Sequence, residues 1–195
     1  SALFSTSRAV WTMRWGGITF PALIALFTSL APGPVLATTK YVVPGGAGGA
    51  TGDSWADAYS NIQDAVTACP AAGDVIYIKS GTFEVGDQIS ISNAPGLTLI
   101  GGMLGNTPEP GDPDTAPTIV TRSAAATNRI FFGYASTATL ERLTVSGGLL
   151  TYSYARGAGL YFTASSTLTL RQCTVASNVI YAVGNDQGGG LCIDG

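Results

Sequence analysis

The stretch PEPGDPDTAP, residues 108–117, carries three carboxylates at Glu109, Asp112 and Asp114. Alternate carboxylates on one loop are oxygen ligands suited to a hard cation such as Ca2+. Three of them fall short of the usual set of about six to eight oxygens, and their spacing is not that of an EF-hand. A solvated, Pro-rich turn accounts for the same residues. A second group is aromatic. Tyr152, Tyr154 and Tyr181 fall in variable segments where exposed rings could bind a sugar or a partner protein, or could pack locally. Acid–base chemistry has less to work with. The chain has no His. Asp53, Asp57 and Asp64 sit on or beside a helical pattern, where caps and solvated faces explain them. No nucleophile motif, phosphate loop or Cys/His metal spacing occurs in the sequence.

The tyrosines are placed by a repeat. ATLERLTVSGG, from Ala138, and LTLRQCTVASN, from Leu168, align without a gap. Leu140 falls on Leu170, Leu143 on Cys173, Val145 on Val175 and Gly148 on Asn178. Beyond a variable loop, GAGLYF from Gly157 matches GGGLCI from Gly188. Leu160 then falls on Leu191 and Phe162 on Ile193. A unit of strand, turn, strand, loop and strand near 30 residues long signals a stacked architecture. Helical repeats lack support here, and a propeller blade needs about 40 residues. A parallel β-helix fits, with equivalent positions stacked about 4.8 Å apart. The ladder residues Leu140, Leu143, Val145, Leu168, Leu170, Cys173 and Val175 are expected to share one core. Glu141 over Arg171 reads as a surface ion pair. Gly148 and Asn178 both tolerate the left-handed backbone region, which predicts a sharp bend with positive φ at that site.

One segment is helical in pattern. Trp55, Ala58, Tyr59, Ile62, Ala65, Val66 and Cys69 form a single face over residues 54–69, with Ser54 as N-cap and Pro70 and Gly73 as stops. Such a helix would cover the apolar end and open strand edges of the first coil. The domain reading is therefore a cap over 38–73 and coils over 74–195, cut off at the C-terminus as a fragment of a longer chain.

The first residues differ from the rest. Arg14 precedes the apolar ITFPALIALFTSLA, followed by a Pro/Gly break and VLA. This reads as a signal peptide over 13–37, cleaved after Ala37, with 1–12 as upstream sequence. The apolar run of about 14 residues is short of the roughly 20 that span a bilayer. The net charge of −3 over 195 residues, with no Lys/Arg cluster, argues against nucleic acid. The three cysteines, Cys69, Cys173 and Cys192, read as small buried hydrophobes, although an exported protein could pair two of them.

SWADAYSNIQDAV followed by GDVIYIKSGTF resembles the N-terminal cap of secreted bacterial right-handed parallel β-helix repeat proteins. The GGGL and V-x-x-N elements are similar to the G-G-A-[ILV] and F-x-x-N repeats of the polymorphic outer-membrane protein family, with Val145 and Val175 in place of Phe. The likeness extends over residues 39–195. It implies a pectin-lyase-like, all-β right-handed parallel β-helix, exported to the surface or the medium. The expected function is a non-catalytic, adhesin-like stalk that binds a polysaccharide or a host or cell-surface protein, without spanning a membrane in this segment. The alternative is the N-terminal part of a polysaccharide lyase or glycoside hydrolase, whose relatives use Ca2+ with Asp clusters and a basic residue.

Overall fold

The computed structural model describes residues 36–105, 116–181 and 184–194. Short strands dominate. They are β1 (Thr39–Val42), β2 (Val75–Lys79), β3 (Gly81–Val85), β4 (Ile89–Ser92) and β5 (Leu97–Met103). Then follow β6 (Thr118–Arg122), β7 (Phe131–Tyr134), β8 (Thr137–Glu141), β9 (Leu143–Ser146) and β10 (Leu149–Leu150). The last are β11 (Leu160–Thr163), β12 (Thr167–Arg171), β13 (Thr174–Ala176), β14 (Val179–Ile180) and β15 (Leu191–Asp194).

The chain visits the same sheets in turn. One sheet runs β1-β2-β5-β8-β12, a second β3-β6-β9-β13, a third β4-β7-β11-β15, and a small one joins β10 to β14. Every pairing is parallel. The fold is all-β, built from parallel sheets, with little helix.

The registers follow from which side chains must be buried. Ile76, Leu99, Leu140 and Leu170 stack in one row, and Phe83, Val120, Val145 and Val175 in another. Ile91, Gly133, Phe162 and Ile193 form a third. All of these alternate positions but Leu170 and the 53% exposed Ile193 lie in or against one continuous core. Gly133 is glycine because the Phe162 ring occupies the space its Cβ would take. The ladder residues Leu140, Leu143 and Val145 are buried, and Leu168, Cys173 and Val175 pack partly buried against them. Leu170 departs from the expectation. It is 36% exposed, since no described residue covers its outer side.

The corners recur as well. Asn93, Ala135 and Ser165 have positive φ after β4, β7 and β11, and Arg142 and Gln172 after β8 and β12. Serines stack at the first of these corners. The Ala94 N–H donates to Ser136 Oγ (3.2 Å), and the Ser136 N–H donates to Ser166 Oγ (3.1 Å).

The expected bend at Gly148 and Asn178 lies one residue earlier, at Gly147 (φ +72°) and Ser177 (φ +55°). Gly148 is required for a different reason: a Cβ there would collide with the Ala158 carbonyl. Asn178 acts through its side chain. Its Oδ1 accepts from the Gly148 N–H at 2.9 Å, and its Nδ2 donates to the Val145 carbonyl at 3.0 Å.

The helix expected over 54–69 is two pieces, a 3-10 turn at Trp55–Asp57 and an α-helix, α1, at Ile62–Thr67. Between them the chain is extended at Ala58. The Tyr59 N–H donates to the Tyr41 carbonyl (2.9 Å), and the Tyr59 carbonyl accepts from Val43 (3.0 Å). Two strand-type hydrogen bonds along β1 therefore displace helix at this point. Asn61 rather than Ser54 caps α1, its side chain accepting from the Asp64 N–H at 2.8 Å. Ile62, Ala65, Val66 and Cys69 do face the core, as their spacing predicts.

Candidate functional site

The outward positions of β7 and β11 are Phe132 and Tyr161, adjacent in register. Their ring centroids are 5.8 Å apart. Arg129, just before β7, lays its guanidinium over both, 5.6 Å from the Phe132 centroid and 5.0 Å from that of Tyr161. A cation held over ring faces is electrostatically favoured. Three groups hold it there. Its Nη1 donates to Gln88 Oε1 (3.1 Å), and its Nη2 donates to the Tyr152 hydroxyl (3.0 Å) and the Arg156 carbonyl (3.1 Å).

Tyr152 is thereby part of a built surface. It is half exposed, with its hydroxyl anchored and part of its ring free. Arg156 extends the patch toward β15. It is paired with Asp194, and its hydrogen bond to Tyr161, followed by the Asp194 charge, raises its pKa above the ordinary value. The loop after β10 and the loop after β14 stack one on the other. Tyr181 N–H donates to the Leu150 carbonyl (2.7 Å), Ala155 N–H to Asp186 Oδ1 (3.0 Å) and Gln187 N–H to the Ala155 carbonyl (3.0 Å).

Tyr154 and Tyr181 are each 71% exposed, and Tyr154 has a positive φ of 63°. Neither is among the ring pairs of the described residues, so only Tyr152 joins the arginine patch. The patch itself draws on Gln88, Arg129, Phe132, Tyr152, Arg156 and Tyr161. No short motif contains them. The signal that could have found it is the period carried one unit back from Tyr161, which lands on Phe132 and brings in Arg129 beside it.

The proposed cation ligands Glu109, Asp112 and Asp114 lie outside the described residues. Among the described residues no group of three or more His, Cys, Asp or Glu converges on one point. Asp53 pairs with Lys40 at 2.6 Å, and Asp57 accepts from the Gly49 N–H at 2.8 Å, so both have structural partners. Lys40 holds the Asp53 carboxylate below its usual pKa through their hydrogen bond. Glu141 stands beside Arg171 in register, but its ion pair is with Arg142 Nε at 3.6 Å. All three cysteines are free, Cys69 buried and Cys173 and Cys192 partly so.

Compared with known proteins, the chain matches no family model, no curated protein and no solved structure.

Proposed function

We propose that the chain is a right-handed parallel β-helix of the secreted bacterial type, acting as a non-catalytic, adhesin-like stalk that binds carbohydrate. The winding is supported by the order in which the chain returns to each parallel sheet. Crossovers between parallel strands are right-handed in about 98% of cases. Export rests on the signal-peptide pattern of residues 13–37. Among the described residues no helix is long and apolar enough to cross a membrane.

One observation carries the binding role: Arg129 held over the Phe132 and Tyr161 rings, with Tyr152 bonded to it and half exposed. The half-exposed Tyr152 ring offers a face to the C–H face of a sugar ring, and its hydroxyl, which accepts from Arg129, can still donate to a sugar hydroxyl. The patch is preorganised, because its arginine is fixed by three acceptors before any ligand arrives, and that lowers the entropy cost of binding.

The test is a panel of neutral and acidic oligosaccharides titrated by calorimetry against the chain and its Tyr152→Ala variant. Binding that weakens about tenfold on losing one exposed anchor, with an unchanged melting temperature, fits the reading. Binding indifferent to Tyr152, or turnover of any oligosaccharide, would replace it, the latter by the lyase or hydrolase alternative.

A further inference from the structure

Three strands, β1, β3 and β4, end their sheets on the side of the cap. An end strand of a parallel sheet presents the N–H and C=O groups of alternate residues to its free side. On β1 and just beyond it, Tyr41 and Val43 are occupied. Tyr41 N–H donates to the Gly52 carbonyl at 2.9 Å, and Tyr59 bonds both residues. On β4, Ser90 is occupied by Gln63, whose Oε1 accepts from the Ser90 N–H (2.7 Å) and whose Nε2 donates to the Ser90 carbonyl (3.3 Å).

β3 differs. Gly81 donates its N–H to the Pro117 carbonyl and Val85 accepts from the Ser123 N–H, so the odd-numbered residues face β6. Thr82 and Glu84 therefore face away from it. Among the described residues nothing bonds their backbone on that side. The space beside them is a cleft of about 200 Å3 between Pro44 and Gly45 on one wall and Ser60, Asn61 and Ile62 on the other. Glu84 is exposed and has no ion-pair partner among the described residues. It is the one charged side chain lining the cleft among them.

We propose that β3 is a strand-addition site, taking an extended segment of a partner protein with a basic residue opposite Glu84. The backbone of Thr82 and Glu84 supplies the hydrogen-bond ladder that holds such a segment. Glu84 supplies the selection, because a basic side chain across from it gains an ion pair and an acidic one meets repulsion. Among the described residues no element of the fold fills the cleft. This site shares no residue with the patch around Arg129, so the two stand or fall separately.

The test uses the full chain with two capped hexapeptides of alternating Thr and Lys, or alternating Thr and Asp, and reads amide exchange by NMR. The Thr/Lys peptide at about ten times its dissociation constant is expected to slow exchange at Thr82 and Glu84 about tenfold, leaving Tyr41 and Ser90 unchanged. The Thr/Asp peptide should not. The exposed substitution Glu84→Lys should reverse that preference while the melting temperature stays put. Unchanged exchange at Thr82 and Glu84 with both peptides overturns the proposal. So does equal protection by both, which removes the basic occupant. Protection that rises with protein concentration and no peptide gives the edge to a second copy, and overturns it as well.

Discussion

The side-chain amide of Gln63 binds the backbone of Ser90 from both ends, accepting its N–H at 2.7 Å and donating to its carbonyl at 3.3 Å. A primary amide has the donor and acceptor of a peptide group, so Gln63 stands in for the strand that β4 lacks above it. The amphipathic helix thus does two jobs. Ile62, Ala65 and Val66 cover the apolar interior, and Gln63 closes part of an edge.

Gln63→Leu keeps the bulk and removes the amide, leaving two backbone groups of Ser90 without protein partners. It is expected to lower stability by about 1–3 kcal/mol, the range for losing such partners. Gln63→Glu keeps the acceptor but loses the donor, so it should fall between the two. Urea melts give the ordering, and amide exchange at Ser90 shows whether the effect is local. A melt unaffected by Gln63→Leu would mean that water satisfies this edge equally well.

Leu140 and Leu170 occupy the same position one rung apart, yet the first is fully buried and the second 36% exposed. Leu140→Ala should cost about 2–5 kcal/mol, the range for a buried truncation that leaves a cavity. Leu170→Ala should cost clearly less than Leu140→Ala, since solvent already reaches it and no closed cavity forms. Comparing both variants by denaturant midpoint tests burial separately from residue type. Equal losses would place a covering layer over Leu170 in solution.

The 30-residue spacing was legible because like side chains must stack when strands pair in parallel. It placed Leu140 on Leu170 and Val145 on Val175, and, at 31 residues after the variable loop, Leu160 on Leu191 and Phe162 on Ile193; the sheets have those registers. The corners were not legible from residue type. Positive φ falls on Ala135, Arg142, Gln172 and Ser177, residues with no special preference for it. There the stack dictates the bend and the residue tolerates it. The break at Tyr59 was hidden for a related reason: a helical face continues through Ala58 and Tyr59, while the edge of β1 claims the Tyr59 backbone. The arginine patch collects residues from Gln88 to Tyr161, and such long-range convergence leaves no local pattern.

Cys69 and Cys173 both have thiol pKa values raised, in each case chiefly by burial, which disfavours the thiolate. The sign follows directly. Below the ordinary thiol value of about 8.5, both folded and unfolded chains carry the proton, and the stability contribution is fully present. As pH rises past that value, the unfolded chain releases its protons first and stability falls until the folded thiols also titrate. Melts between neutrality and high pH should show this loss, reduced in a Cys69→Ala, Cys173→Ala variant. Identical alkaline slopes in the two proteins would show that other groups govern the fall.

Asn178 and Gly148 hold one corner through unlike means, and substitution separates them. Asn178 has ordinary backbone geometry, so its value lies in the two hydrogen bonds that tie Gly148 and Val145 of the preceding rung. Asn178→Val should therefore cost about 1–3 kcal/mol through the unsatisfied groups rather than through backbone strain. Asn178→Gly loses the same two bonds and should be no better. Asn178→Asp keeps the acceptor for the Gly148 N–H but places a carboxylate against the Val145 carbonyl, and is expected to be destabilised more at neutral than at acid pH. Gly148→Ala tests the other half. Its added Cβ would strike the Ala158 carbonyl, a backbone atom that cannot rotate away, so the loss should equal or exceed that of Asn178→Val. Thermal melts of the four variants decide between the accounts. If Asn178→Gly matches wild type while Asn178→Val does not, backbone conformation governs the site, and the hydrogen-bond account of this corner fails.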